Sequence, residues 1–241
     1  MKIEVLYPEL ACLYGDPGNC LFLRRSRPDA QIISTTLGTA PAFPSGAVDL
    51  VILGSMTEHG QQVVAPELAR HATALREQIE RGTHFLFTGN ATDLLGTSVA
   101  NPQLGYEFAG LGLFDFTVEL GMRERINSKF LGEIDHEPIV GFKSQFSHVR
   151  VPEPHKLEFF ASTIRGVGLC AGVDEGVRMN NLIGTHLLGP LLPLNPLFTR
   201  RLLCEIDGVD TPVAFEETAV GAFEARLAEL RDPRIWGATA H

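Results

Sequence analysis

Cysteine is scarce and unpatterned: the 4 cysteines, Cys12, Cys20, Cys170 and Cys204, form no C-x-x-C pair, so neither a disulfide framework nor a thiolate metal clamp is written in their spacing. They are expected to be reduced and mostly buried. Positive charge is also short. The 20 Lys and Arg against 29 Asp and Glu leave a formal charge of −9, which removes the electrostatic grip that non-specific binding to nucleic acid or anionic lipid requires. No long hydrophobic run is present. The most apolar stretch, from Leu187 to Phe198, is interrupted by Gly189, Pro190, Pro193, Asn195 and Pro196 and falls well short of the ~20 residues of a membrane-spanning helix. The opening residues, with Glu4 among them, lack the apolar core of a signal peptide. The expectation is a cytoplasmic chain, mature from Met1, with no membrane span and no nucleic-acid partner.

Phosphate-cradling loops are missing as well: there is no G-x-x-x-x-G-K-[ST] and no G-x-G-x-x-G after a strand. The 8 histidines, His59, His71, His84, His136, His148, His155, His186 and His241, form neither H-E-x-x-H nor an i,i+4 pair. No metal and no cofactor is expected from these patterns. Gly166, Gly168 and Gly172 read as a turn or bulge rather than a cofactor loop.

What is there is an ordinary globular composition, 44% hydrophobic and 20% charged over 241 residues, expected to fold as a single domain over residues 1–241. Ile3 to Tyr7, Gln31 to Ile33, Val48 to Leu53 and His84 to Phe87 read as strands, the third nearly continuous in aliphatic residues, as in a strand covered on both faces. Asp16-Pro17 reads as an N-cap and first-turn proline. Val64, Leu68, Ala72, Leu75 and Ile79 recur at helical spacing, predicting one helix from Gln61 to Arg81 that Gly82 closes. The run Thr88-Gly89-Asn90 before Ala91 to Leu95 predicts a strand–turn–helix elbow. The fold expected is α/β: a mostly parallel central sheet, with a ligand crevice at the carboxyl ends of its strands. Beyond about residue 105 short strand-like runs dominate: 114–120, 128–134, 139–146, 159–167 and 181–188. That half is expected to be β-rich. Helices from Pro196 through Leu203 and over about 212–230 close the chain.

Several segments are more specific together than apart. They are Tyr7-Pro8-Glu9-Leu10 through Leu13-Tyr14-Gly15-Asp16-Pro17-Gly18-Asn19, then Leu53-Gly54, then Thr88-Gly89-Asn90 with Leu94-Leu95-Gly96, then Gly141-Phe142, and finally Gly184-Thr185-His186-Leu187-Leu188-Gly189-Pro190-Leu191-Leu192-Pro193-Leu194-Asn195-Pro196. In this order they resemble the CobB/CobQ-type class I glutamine amidotransferases over roughly residues 1–205. Within that family they are most similar to the GatD-like glutaminase subunits, which act with a Mur-ligase-like synthetase subunit in amidating the stem-peptide glutamate of lipid II.

The resemblance implies a flavodoxin-like glutaminase fold in which an elbow cysteine attacks the amide carbon of glutamine. A histidine activates the thiolate, backbone N–H groups hold the oxyanion, and ammonia passes to a synthetase partner. The family elbow reads C-G-G-Y-Q-L-L-G; the match on Leu94-Leu95-Gly96 puts Gly89 at the cysteine. The family's late strand reads G-T-Y-L-H-G-P-L-L, which puts Leu188 at the histidine. Neither catalytic residue type is kept.

The candidate pocket is drawn from Gly54, Glu58, His59, Thr88, Gly89, Asn90, Gln145, His148 and His186. Ser55-Met56-Thr57-Glu58-His59 replaces the family's further glycines after Gly54, and Lys143-Ser144-Gln145-Phe146-Ser147-His148 replaces N-H-x-G-R-T. That second run is either a rebuilt contact strand or an ordinary edge strand. His186, two residues before Leu188, shares its face at a displacement of ~6.6 Å; it either reaches the pocket or stands in for the family tyrosine in packing. The leading expectation is a degenerate glutaminase-like subunit. The alternatives are a different enzyme using Glu58, His59, His148 or His186 as acid–base groups, or a glutaminase whose nucleophile is Cys12 or Cys20. The ligand is left open.

Overall fold

The computed structural model describes residues 1–236; His241 lies outside them. The chain begins with strand β1 (Lys2–Leu6), helix α1 (Pro17–Ser26), β2 (Gln31–Thr35) and β3 (Leu50–Leu53). Helices α2 (Glu58–Ala69) and α3 (Ala72–Glu80) then lead to β4 (His84–Thr88) and a 3-10 segment over Gly89–Leu95. The β-rich half follows with β5 (Ser98–Asn101), β6 (Tyr106–Ala109), β7 (Thr117–Leu120), β8 (Ile126–Ile134), β9 (Glu137–Gln145), β10 (Ser147–Arg150) and β11 (Ser162–Arg165). The chain then returns to the first sheet through β12 (Val177–Met179) and β13 (Leu182–Thr185) and closes with α4 (Leu191–Leu194), α5 (Pro196–Asp207) and α6 (Glu216–Arg231).

The central sheet has the order β12-β13-β4-β3-β1-β2. Every neighbouring pair in it is parallel except β12 with β13. Alternation along its strands supplies a core to each face. Val51, Leu53, Phe85 and Phe87 join Val64, Leu68, Leu75 and Ile79 of α2 and α3 on one side. Leu50, Ile52 and Leu86 join Leu23 of α1 and Leu202 and Leu203 of α5 on the other. All the strand residues of β3 and β4 are buried, which is why these segments lack a polar face in the sequence. Two smaller sheets, β10-β7-β5-β6 and β11-β8-β9, make up the second half. The long β8–β9 hairpin packs Leu131 and Val140 against Phe223, Leu227 and Leu230 of α6.

Three local expectations are corrected. The helix predicted over 61–81 is two helices, with His71 at φ −109°, ψ 9° between them; neither glycine nor proline marks the break. Asp16 makes no side-chain cap to α1 and is itself in the αR region, because its carboxylate is turned into the crevice wall described below. Cys12 is exposed and Cys20, Cys170 and Cys204 are only half-buried.

Candidate active-site crevice

The turns after β3, β4 and β13 lie side by side, since Leu53 pairs with Phe87 and Thr185 with Thr88 in register. The crevice sits at these carboxyl ends, as a parallel sheet dictates. A cavity of about 180 Å³ opens there, with Glu58, Gly89, Asn90, Gln145, His186 and Leu188 in its lining. Tyr14 from the first loop and Arg125, just before β8, also line it, and the Arg125 guanidinium lies 4.3 Å above the Phe146 ring.

Gly89 adopts φ +59°, the left-handed region, which costs an L-residue about 1–2 kcal/mol. The space around it is also taken. A Cβ at residue 89 would lie 2.5 Å from Ser55 Cβ and 3.0 Å from Leu188 Cδ2. Ser55 cannot easily yield, because its Oγ donates to Leu13 O at 3.0 Å and its backbone and hydroxyl both engage Asp16 Oδ2. Thr88 Oγ1 donates to the other Asp16 oxygen at 2.9 Å and Asn19 Nδ2 approaches it at 3.3 Å. Asp16 thus ties the first loop to the turns after β3 and β4. Burial raises its pKa above the usual carboxylate range against the lowering effect of the Ser55 and Thr88 hydrogen bonds.

The inner wall is a buried polar network. His186 Nε2 donates to Asp93 Oδ1 at 2.7 Å, with both side chains fully buried. Asp93 Oδ2 accepts from Gln61 Nε2 at 2.9 Å and from Ser147 Oγ. Behind His186, Glu175 Oε1 accepts from its backbone N–H at 2.9 Å and from Thr185 Oγ1 at 2.7 Å. Glu175 Oε2 pairs at 2.8 Å with Lys143, itself completely buried and also donating to Val167 O and Gly168 O. Burial alone would raise the Glu175 pKa, but the Lys143 ammonium holds it below the usual range.

The remaining candidates are distributed as follows. Asn90 clamps the Met56 backbone, accepting from its N–H at 2.9 Å and donating to its carbonyl at 2.8 Å. Thr88 is buried behind the lining, bonded to Asp16, and Gly54 borders a neighbouring apolar cavity with Cys12 and Cys20. His59 is exposed on the first turn of α2 and does not reach the crevice. His148 is corrected as a crevice residue: alternation along β10 turns Ser147 to Asp93 and His148 the other way, where its Nε2 meets Glu124 O at 2.9 Å beside Gly121. Cys20 has its pKa pushed up to about 11 by burial and the nearby Asp16 carboxylate, the opposite of an activated thiol. Asp93, Gln61, Glu175 and Arg125 are absent from the sequence-derived set. The elbow match that located Gly89 also aligns Asp93 with a family glutamine, so that signal was present; the other three carry none.

No family model matches the chain. It is 28% identical over 204 residues, 82% of each chain, to subunit GatD of the glutamine-hydrolyzing lipid II isoglutaminyl synthase of Staphylococcus aureus strain N315. Identity to the GatD subunit of Streptococcus pneumoniae strain ATCC BAA-255 / R6 is 24% over 213 residues, covering 84% of this chain and 79% of that one. Among solved structures, a glutamine amidotransferase from Thermotoga maritima superimposes with a TM-score of 0.50 at 12% identity, covering 93% of this chain and 92% of that one. A second glutamine amidotransferase gives 0.53 at 16% identity, covering 86% and 99%. The fold is that of the glutamine amidotransferases.

Proposed function

From the premise that this chain is GatD-like and has the glutamine amidotransferase fold, we propose that it is a degenerate subunit without the nucleophilic cysteine at the elbow. In this reading it has given up glutamine hydrolysis and acts with a Mur-ligase-like synthetase in cell-wall or related amidation in the cytoplasm. In the same reading the described residues, 1–236, make up one amidotransferase-like domain. The observation that carries this is residue 89: the position matching the nucleophile has no side chain, and Ser55 and Leu188 fill the space one would occupy. With Leu188 at the matching histidine position, no activated nucleophile–base pair can be assembled at the elbow. Reassigning the nucleophile to Cys12 or Cys20 is disfavoured, because both border the neighbouring apolar cavity and burial raises the Cys20 thiol.

The partner is tested by mixing the chain at tens of micromolar with a Mur-ligase-like protein from the same organism. Size-exclusion chromatography is expected to show co-elution. Independent elution of the two proteins would contradict the subunit reading.

A further inference from the structure

The Asp93–His186 pair is a feature of this chain in its own right. The two elbow and late-strand motifs place a glutamine and a tyrosine where this chain has Asp93 and His186, so a neutral pair is replaced by an ionisable one in full burial. Around it, acceptor atoms are left without donors. Among the described residues, Gln61 Oε1, Gln145 Oε1 and His186 Nδ1 are buried and have no hydrogen-bond partner. All belong to one network, since Gln61 and His186 bond Asp93 directly and Gln145 Nε2 donates at 2.8 Å to the carbonyl of Ser147, whose hydroxyl bonds Asp93.

The amides cannot be turned over to remove the deficit. Gln61 Nε2 faces Asn90 O at 2.8 Å and the Asp93 carboxylate, and Gln145 Nε2 faces Ser147 O; reversing either would set oxygen against oxygen. Likewise, His186 Nε2 is committed to a carboxylate, so a neutral imidazole offers Nδ1 as a lone pair. The network therefore lacks hydrogens, not acceptors. Asp93 adds a buried negative charge, while the formal charges of Glu58 and Arg125 in the cavity lining offset each other.

We propose that this wall of the crevice, where Gln145 and His186 line the cavity, binds free ammonium, whose N–H groups would donate to His186 Nδ1 and the Gln145 carbonyl oxygen and whose charge would balance Asp93. Ammonium supplies donors in several directions, which an alkali cation does not, and a nitrogen lone pair is a better partner for an N–H than for potassium. For the use of the bound nitrogen the proposal rests on the subunit reading, because a partner that no longer receives ammonia from glutamine can draw on ammonium from solution. The binding itself does not depend on that reading.

The test is a titration of the isotopically labelled full chain with ammonium chloride replacing sodium chloride at constant ionic strength, followed by NMR at the His186 imidazole and the Gln145 carboxamide. The expected result is a saturable change at both groups that potassium chloride does not reproduce. His186→Phe, read at Gln145, and Gln145→Met, read at His186, should each weaken it by about tenfold, the loss of one charge-assisted hydrogen bond. The absence of a saturable change in the wild-type chain would overturn the proposal. So would an equal response to potassium, which would mark only a general cation effect. Because the chain is titrated alone, a missing partner or an unexpected glutaminase activity would sink the subunit reading without touching this result.

Discussion

At position 89 a backbone requirement and a packing requirement coincide. The left-handed φ of Gly89 and the approach of Ser55 Cβ and Leu188 Cδ2 both exclude a side chain, so Gly89→Ala is expected to destabilise the fold by about 2–4 kcal/mol in urea unfolding. Ser55→Gly removes the nearer obstacle. In the Gly89→Ala background it should therefore recover about 1 kcal/mol or more relative to its effect in the wild type, read as coupling in a double-mutant cycle. Simple additivity would show that the contact is not the source of the strain. The same geometry explains why Gly89→Cys with Leu188→His is not expected to restore glutaminase activity, since Ser55 would still occupy the nucleophile's space.

This residue level is where the sequence was least legible. The losses at 89 and 188 could be read from flanking motifs, and Asp93 shows only as a departure from the same elbow motif, since an aspartate in a short helical stretch is otherwise unremarkable. His148 was misplaced for a different reason. Gln145 and His148 stand three positions apart, so alternation through Ser147, which faces Asp93, puts them on opposite faces even across the boundary between β9 and β10.

Among elements, buried carboxylates do the joining. Glu175, just before β12, holds Lys143 of β9 and the backbone of His186 after β13, linking a small sheet to the central one. Removing one partner leaves an unpaired buried charge, so Glu175→Gln should cost about 3–5 kcal/mol, and Lys143→Met with Glu175→Gln less than the sum of the single changes. The depressed Glu175 pKa gives its sign: the stabilisation is fully present above the unfolded carboxyl value of about 4.3 and is lost as pH falls through the folded value.

Asp16 joins the first loop to the turns after β3 and β4 with the opposite sign. Its folded pKa is raised, so the native state binds the extra proton and stability declines as pH rises from about 3.9 to the folded value. Asp16→Asn removes the titrating group and should flatten that decline in urea titrations across pH, at a cost in absolute stability because its amide nitrogen would face the Ser55 backbone N–H; an unchanged pH profile would refute the assignment. The sequence reading of Asp16 as a helix cap followed a sound local rule, and a long-range demand from Ser55 and Thr88 overrode it.

Over the whole molecule, the central sheet was legible because burial on both faces leaves an unmistakable pattern in Leu50–Leu53 and His84–Phe87, with short turns between elements. The break between α2 and α3 was not, since the apolar spacing runs through it. In the proposed reading the crevice at the carboxyl ends of the strands is kept while Ser55 and Leu188 close the seat of the nucleophile at residue 89. That claim meets its most direct test in ammonia release from glutamine, measured with and without a Mur-ligase-like partner and followed by intact-mass analysis after exposure to an electrophilic glutamine analogue. The account predicts no release above background in either case, since general-base assistance alone is worth only about 10²–10⁴-fold without a covalent nucleophile. Stoichiometric labelling at Cys12 or Cys20, with partner-stimulated turnover that the corresponding cysteine-to-alanine change abolishes, would contradict it.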